Sequence, residues 1–166
     1  MSENLIIRAV EPEDAVAIFR IARGSAVQHG TLQMPHPSRS FWQERLATTS
    51  DRSFRLVAEL DGEVIGMAAV HIDSPHRRRH VGQIGMMVHD DYQGRGVGKA
   101  LLESLLDLSD NWLNLHRLEL DVYTDNAAGV HLYESHGFVI EGTRKDFAFR
   151  DGSYIDAYAM GRLREP

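Results

Sequence analysis

A glycine-rich stretch in the second half of the chain has residue types and spacing that could bind a phosphate. An apolar segment ends at Val88, glycines follow at positions 94, 96 and 98, and an apolar pattern at helical spacing then begins. Glycine reaches backbone angles closed to residues with a Cβ, and it lets a ligand approach the main chain. The free N–H groups of a first helical turn carry the positive end of the helix dipole. A strand, a glycine turn (residues 93–98) and a helix in this order therefore predict a phosphate or diphosphate site.

The spacing of these glycines excludes two common phosphate-binding motifs. A Walker A loop, G-x-x-x-x-G-K-[ST], would need glycine where the chain has Gln93 and a hydroxyl residue where it has Ala100. A dinucleotide fingerprint, G-x-G-x-x-G, would need its third glycine where the chain has Lys99 or Leu101. Neither a nucleotide hydrolase nor a dinucleotide-binding enzyme is therefore indicated.

A second stretch, T-D-N-A-A-G-V-H-L-Y-E-S-H-G-F, combines a capping residue, a tyrosine and a terminal glycine. Asp125 or Asn126 is predicted to cap a short helix, and Gly137 to end it in the left-handed conformation. Tyr133 lies in this helix. A tyrosine there could pack the helix on a sheet or take part in chemistry, and the residue type alone does not choose between the two.

Taken together, the two stretches resemble the signatures of the GCN5-related N-acetyltransferase (GNAT) superfamily, which binds acetyl-coenzyme A. Q-G-R-G-V-G-K-A resembles the pyrophosphate loop, Q/R-x-x-G-x-G/A. D-N-A-A-G-V-H-L-Y-E-S-H-G-F is similar to the second signature, N-x-x-A-x-x-L-Y-x-x-x-G-F, and departs from it at Gly129, where the superfamily has alanine. Within the superfamily the chain most resembles small bacterial enzymes that acetylate free amino acids or related small amines.

The resemblance implies acetyl-coenzyme A as cosubstrate, no metal, and a set of residues around the cosubstrate. Its pantetheine arm carries amides like a peptide, so it can pair with strand backbone at Met86, Met87 and Val88 if two central parallel strands splay apart. Asn126 could hydrogen-bond the same arm as well as cap its helix. The diphosphate would be bound by Gln93, Gly94, Arg95, Gly96, Val97, Gly98 and Lys99.

By the same resemblance Tyr133 lies beside the cosubstrate and is the general acid, because a phenol near the sulfur could protonate the departing thiolate. The base that keeps the attacking amine neutral is not indicated. Many relatives place a glutamate on the strand before the glycine turn, where this chain offers Gln83. His71, His80 or a chain of waters could substitute. Direct attack is predicted, because the chain has no cysteine and no G-x-S-x-G sequence.

The elements that position these residues follow from hydrophobic periodicity, turn signals and helix caps. We predict an α/β (α+β) fold with a mixed, mainly antiparallel sheet of six to seven strands and helices on both faces. The two strands on either side of the long helix should be parallel and splayed around the cofactor, with Gly85 marking a bulge. Strands are predicted at Leu5–Val10, Phe54–Leu60, Val64–Ile72, Val81–Val88 and Arg117–Tyr123 and in a last hairpin over residues 138–160.

Helices are predicted after Glu11, after Ser38 and from Val97, besides the short one that contains Tyr133. Residues 29–38 should be irregular and either pack on the core or form a wall of the acceptor pocket. On the first helix the inward positions are expected to be Val16 and Phe19, with Ala15 and Ile18 as further candidates. On the long helix they are expected to be Val97, Leu101, Leu105, Leu108 and Trp112.

The length and the net charge of the chain limit the classes of protein to which it can belong. The 166 residues fit one N-acetyltransferase domain, 1–166, and the net charge of −6 argues against nucleic-acid binding. The N-terminal M-S-E-N-L-I-I-R is no secretory signal, and no apolar run approaches transmembrane length. We expect a cytoplasmic enzyme that acts on a small-molecule amine without a membrane partner, and the resemblance adds a homodimer. A protein N-terminal or lysine acetyltransferase, or a non-catalytic acyl-coenzyme A sensor, is the alternative.

Overall fold

Seven strands form the framework of the molecule, in a computed structural model that describes residues 4–165. They are β1 (Leu5–Ala9), β2 (Ser53–Leu60), β3 (Glu63–Ile72), β4 (Val81–Val88), β5 (Arg117–Tyr123), β6 (Val139–Arg150) and β7 (Ser153–Leu163). Their order in the sheet is β1-β2-β3-β4-β5-β7-β6, and every neighbouring pair is antiparallel except β4 and β5. The predicted mixed sheet is confirmed. Residues 1–3, on which the expectation about a secretory signal partly rests, and residue 166 lie outside the described residues.

Helices cover both faces of the sheet, as predicted. They are α1 (Ala15–Ala22), α2 (Ser25–Gly30), α3 (Arg39–Ala47), α4 (Val97–Asn111) and α5 (Ala127–Glu134). One buried cluster joins Ile18 and Trp42 to Val57 and Met87, so α1, α2 and α3 lie on the first face. The other joins Leu101 to Leu120, with residues of α5 packed against it, so α4 and α5 lie on the second face. Among the described residues no helix has both the length and the apolar character needed to cross a membrane.

The parallel pair is short and then diverges. Pairing between β4 and β5 runs from Val81 opposite Arg117 to Gln83 opposite Glu119. On its other edge β4 pairs with β3 as far as Val88, without a register shift. The predicted splay is therefore confirmed, whereas the bulge expected at Gly85 is wrong. We call the space between β4 and β5 beyond Gln83 and Glu119 the strand gap.

Local helix predictions were wrong at three places. Val16, expected to face inward, is 55% exposed, whereas Ala15 and Ile18 are buried as predicted, together with Ile21 and Ala22. Trp112 is 77% exposed, because α4 ends at Asn111 and the next residue leaves the helical conformation. The helix α2 was not predicted at all. The Ser38 cap is confirmed, since its hydroxyl accepts the N–H of Phe41.

Candidate active site

The glycine turn leaves the N-terminus of α4 open. Gly96 precedes the helix with φ of +83°, and no side chain of the described residues caps it. Gly94 has φ of +71°, and nothing lies within 4 Å of the point where its Cβ would be. Both glycines are required for this backbone, because positive φ is costly for other residues. The first-turn N–H groups are thus accessible to an anion, which is what a diphosphate site needs.

Side chains around the turn fix it to the end of β4. The amide of Gln93 donates to the carbonyl oxygen of Val88 over 3.0 Å. The guanidinium of Arg95 lies 5.4 Å from the ring centre of Tyr92. Lys99 is 3.8 Å from Glu103, a spacing typical of an exposed helical pair. Gln93 therefore has a structural role that the resemblance alone did not indicate, and its contact with a cosubstrate stays a prediction.

The helix that carries Tyr133 lies directly beside the glycine turn. A Cβ added at Gly98 would be 3.6 Å from Leu132 of α5 and 3.7 Å from the sulfur of Met86 on β4. The first turn of α4, the open stretch of β4 and the helix α5 thus meet at one place. This juxtaposition was expected from the order of the two signatures, and the structure provides it through packing of apolar side chains.

Tyr133 combines a buried ring with an unbonded hydroxyl. The ring packs edge-to-face on Phe138, with centres 5.7 Å apart. Burial raises the pKa of Tyr133 to about 12, so the phenol keeps its proton at neutral pH. The hydroxyl of Tyr133 makes no hydrogen bond within residues 4–165, which leaves its proton for a bound molecule.

Asn126 caps α5, as predicted. Its side-chain oxygen accepts the N–H of Gly129 over 2.9 Å. A Cβ at Gly129 would lie 2.7 Å from the amide nitrogen of Asn126, so the departure from the second signature falls beside the cap itself. The amide nitrogen of Asn126 has no hydrogen bond among the described residues. It is free to reach a ligand, and that second role stays a prediction.

A carboxylate clamp closes the narrow end of the strand gap. Gln83 donates to Glu119 over 2.7 Å, at the last position where β4 and β5 pair. Arg117 and Arg78 donate to the same carboxylate over 2.7 and 3.1 Å. Burial disfavours its charge, but the bonds from Arg117, Gln83 and Arg78 prevail and lower the pKa of Glu119 to about 2. Glu119 is therefore an anion at neutral pH, and a carboxylate that already accepts three hydrogen bonds and has so low a pKa is a weak base.

The clamp explains two residues that the sequence left without a function. Gln83, at the position where many relatives have glutamate, is a hydrogen-bond donor that ties the two strands together. Arg78 comes from the basic segment at residues 76–80, H-R-R-R-H, which lies just before β4. That segment contains a 3-10 turn, and within residues 4–165 no group of three or more histidine, aspartate or glutamate side chains could hold a metal ion.

The two candidate histidine bases lie at different distances from the strand gap along the sheet. The imidazole of His71 shares a 2.6 Å hydrogen bond with Ser53, and His71 pairs with Gln83 in the β3–β4 register. His80 precedes β4, where its carbonyl accepts the N–H groups of His116 and Arg117, at the closed end beyond the clamp. No hydrogen bond within residues 4–165 joins either imidazole to Tyr133. Their role as base stays a hypothesis.

On the face covered by α1, α2 and α3, one row of three residues across the sheet has an open position at one end and a cation at the other. Arg55, Ala69 and Gly85 lie opposite one another on β2, β3 and β4. Nothing lies within 4 Å of the point where a Cβ of Gly85 would be. Arg55 donates to the carbonyl of Arg45 over 3.1 Å. Burial and the nearby Arg45 lower the pKa of Arg55, and no carboxylate of residues 4–165 pairs with it.

The irregular segment after α2 starts with a contact to the end of β5. The hydroxyl of Tyr123 donates to the carbonyl of Thr31 over 2.9 Å. Leu32 and Met34 are 68% and 75% exposed, so these two side chains do not pack on the core. Of the two interpretations of residues 29–38, core packing by these apolar side chains is wrong, and the wall of an acceptor pocket stays a prediction.

The fold and the glycine turn together define an acyltransferase, and the chain belongs to the acetyltransferase (GNAT) family, whose model matches residues 17–138. It is 43% identical to the L-amino acid N-acetyltransferase AaaT of Escherichia coli K12, over 99% of this chain and 100% of AaaT. It is 28% identical to spermidine N(1)-acetyltransferase of Vibrio cholerae, over 96% of this chain and 93% of that protein.

Solved structures agree with this assignment. A GNAT-family acetyltransferase from Streptococcus pneumoniae superposes with a TM-score of 0.85 at 32% identity, over 97% of this chain and all of that chain. Spermidine N-acetyltransferase from Vibrio cholerae, in complex with CoA and spermine, superposes with a TM-score of 0.83 at 27% identity, over 98% of this chain and 96% of that one. The family resemblance and the fold class predicted from the sequence are both confirmed.

Acid sensitivity tests the clamp. Because the pKa of Glu119 is lower in the folded protein than the about 4.3 of a free glutamate, its stabilisation is present above that value and is lost as the pH falls toward 2. We expect Glu119→Gln to reduce the free energy of unfolding by about 1–2 kcal/mol at pH 7. Below pH 4.5 the free energy of unfolding should decrease less steeply in this variant than in the wild type. Urea titrations from pH 7 to pH 2.5 measure both.

Glu44→Gln is the matched control, because that side chain is exposed on α3 and makes no hydrogen bond among the described residues. It should follow the wild-type curve. If Glu119→Gln also follows that curve throughout, the carboxylate does not clamp the strands.

Proposed function

We propose that residues 1–166 act as one N-acetyltransferase domain, which moves the acetyl group of acetyl-coenzyme A to the primary amine of a free amino acid by direct attack. The observation that carries the acetyl-transfer part is the open glycine turn beside α5, the helix that carries Tyr133. The amino-acid part is supported by the full-length similarity to AaaT.

The residues around the strand gap fit acetyl-coenzyme A. The uncapped N-terminus of α4 would bind the diphosphate through its N–H groups, and the strand edge at Met86, Met87 and Val88 would pair with the amides of the arm. Asn126 can donate its amide to the same arm. The other residues proposed to contact the diphosphate are Gln93, Gly94, Arg95, Gly96, Val97, Gly98 and Lys99. Acetyl-coenzyme A supplies a thioester whose carbonyl carbon an amine can attack.

In the proposed reaction, Tyr133 donates its phenolic proton to sulfur as the carbon–sulfur bond breaks. The new bond joins the acceptor nitrogen to the acetyl carbon, and this nitrogen then loses a second proton to solvent to give the neutral amide. The acceptor ammonium must first lose a proton, and His71, His80 and ordered water are the candidate bases. We expect no covalent intermediate on a side chain, because the chain has no cysteine and no serine in a G-x-S-x-G sequence. The phenolate left on Tyr133 is reprotonated from solvent before the next cycle.

The unpaired cation at Arg55 favours an amino acid over a polyamine as acceptor. An amino acid brings a carboxylate close to its amine, and burying that anion is costly unless it is paired. Arg55 has no carboxylate partner within residues 4–165 and lies in the same row as the open position at Gly85. A guanidinium binds a carboxylate through two parallel hydrogen bonds. A polyamine carries no anion, so Arg55 would repel it.

Replacing the proposed acid tests the mechanism. We expect Tyr133→Phe to lower kcat by about 100-fold or more, because the proton donor is lost while the ring packing on Phe138 is kept. The affinity for coenzyme A, measured by calorimetry, should stay close to that of the wild type. Tyr154→Phe is the control, because Tyr154 is 67% exposed on β7. Equal kcat values for Tyr133→Phe and the wild type would show that Tyr133 is not the acid.

Replacing the unpaired cation tests the acceptor. We expect Arg55→Met to raise KM for an amino acid by about 10- to 100-fold, which is the effect of losing a charge-assisted hydrogen bond. KM for the corresponding amino-acid amide, which lacks the carboxylate, should change little. Arg77→Met, at an exposed arginine in the loop before β4, is the control. An equal increase for the acid and the amide contradicts a carboxylate partner at Arg55.

Release of free coenzyme A from acetyl-coenzyme A tests the function as a whole. The assay compares amino acids, spermidine, and peptides with a free N-terminus or a lysine. Release with amino acids supports the proposal. Release with spermidine alone, or with peptides alone, identifies a polyamine or a protein acetyltransferase instead. Binding of coenzyme A without release on any acceptor identifies a sensor. The cytoplasmic location and the homodimer belong to the same proposal, and light scattering after size-exclusion chromatography measures the second.

A further inference from the structure

The short helix α2 is capped by a residue from the turn that leads into the glycine turn. The carboxylate of Asp90 accepts the N–H of Ala26 over 3.1 Å and the N–H of Val27 over 3.2 Å. These are the second and third amides of α2, which a residue at the N-cap position ordinarily satisfies with its own side chain. The N-cap residue here is Gly24, which has no side chain to do so. Asp90 takes its place across 64 residues of sequence.

Gly24 is shaped to admit this carboxylate. A Cβ at Gly24 would lie 2.4 Å from the oxygen Oδ1 of Asp90 and 2.7 Å from its Cγ. The ordinary capping residues, serine and aspartate, are therefore excluded while Asp90 is in place. The backbone of Gly24 itself is extended, with φ of −60° and ψ of +135°, which any residue can adopt. The absence of a side chain there serves the contact with Asp90.

The other end of α2 is held by the far side of the strand gap. Tyr123, the last residue of β5, donates to the carbonyl of Thr31, just after the helix. The hydroxyl of Thr31 donates back to the carbonyl of Val27 over 2.6 Å. Arg150, at the end of β6, donates to the carbonyl of His29 over 2.9 Å. The helix therefore bridges the end of β4 at Asp90 and the end of β5 at Tyr123.

We propose that Asp90 is a positioning residue that couples occupation of the glycine turn to the acceptor side of the strand gap. This inference rests on the proposed function. A diphosphate bound at the glycine turn restrains the segment from Asp90 to Tyr92, and Asp90 transmits that restraint to α2 and to the residues after it. The acceptor then meets a wall that is ordered in advance. Binding of the two substrates is thus positively coupled through a contact that touches neither of them.

A simple helix cap is the alternative role for Asp90, and a pair of variants separates the two. Asp90→Ala removes both the cap and the coupling. Asp90→Ala combined with Gly24→Ser restores a cap from within α2, because the space that the carboxylate vacates admits the new side chain, but it does not restore the connection to the glycine turn. The double variant keeps the comparison valid if Asp90→Ala alone fails to fold.

Hydrogen exchange measures the coupling without any acceptor. Coenzyme A is added to the full-length protein, and exchange of the backbone amides of residues 25–30 is followed. We expect coenzyme A to slow this exchange in the wild type and to leave it unchanged in the double variant. Acceptor kinetics at saturating acetyl-coenzyme A give the second measurement, in which KM for the acceptor should rise about tenfold in the double variant while kcat changes much less.

Two outcomes contradict the proposal. One is a double variant with the acceptor KM of the wild type, which makes Asp90 only a cap. The other is a wild type in which coenzyme A binds without slowing exchange in α2. Failure of the proposed function gives a different result. If coenzyme A slows hydrogen exchange in α2 of the wild type but no amino acid is acetylated, the coupling is supported and the proposal of an amino-acid acceptor is contradicted. Acetylation of amino acids without that slowing contradicts the coupling alone.

Discussion

The divergence of β4 from β5 is the constraint on which the rest of the structure depends. A strand that stays paired on both edges has no free backbone groups, and a buried strand edge without a partner is costly. Here β4 pairs with β3 as far as Val88, whereas its pairing with β5 stops after Gln83. The clamp around Glu119 sets where the separation begins. The backbone of β4 beyond that point needs a partner that the sheet does not provide, and a peptide-like arm with its own amides is chemically suited to be that partner.

The two faces of the sheet carry different residues around the strand gap. On one face, α4 and α5 pack together through apolar side chains, and this brings the open helix N-terminus beside Tyr133. On the other face, α1 and α3 cover the sheet, and the position at Gly85 is left uncovered. Separate faces allow the thioester and the amine to approach from opposite sides. The helix α2 connects the two strand ends through its contacts with Asp90 and Tyr123.

Local patterns predicted most of the fold because the elements obey local physics. Alternating residues marked the strands, Asn126 marked a helix start, and Gly137 adopts the expected left-handed conformation with φ of +89°. The glycine turn was predicted from spacing, since only glycine tolerates φ of +71° at position 94 at little cost. The family resemblance then supplied the cosubstrate and the role of Tyr133, neither of which follows from periodicity.

What the sequence did not predict depends on contacts between distant segments. The pairing of Gln83 with Glu119 joins residues 36 positions apart, and no local pattern distinguishes that glutamate from an exposed one. The cap of α2 was not predicted, because the carboxylate that provides it, that of Asp90, lies 64 residues away from Ala26 in the sequence. Trp112 continued the apolar stripe of α4 in sequence, but the helix ends one residue earlier. The sequence does not identify the general base, because a histidine or a water serves as base only if the fold places it near the amine.

A crystal structure of the protein with coenzyme A tests the central claim most directly. We expect the diphosphate on the N–H groups at the start of α4, the pantetheine arm inside the strand gap along Met86 to Val88, and the coenzyme A sulfur within about 3.5–4 Å of the hydroxyl of Tyr133. Coenzyme A bound outside the strand gap, or a sulfur beyond the reach of that hydroxyl, would contradict the account.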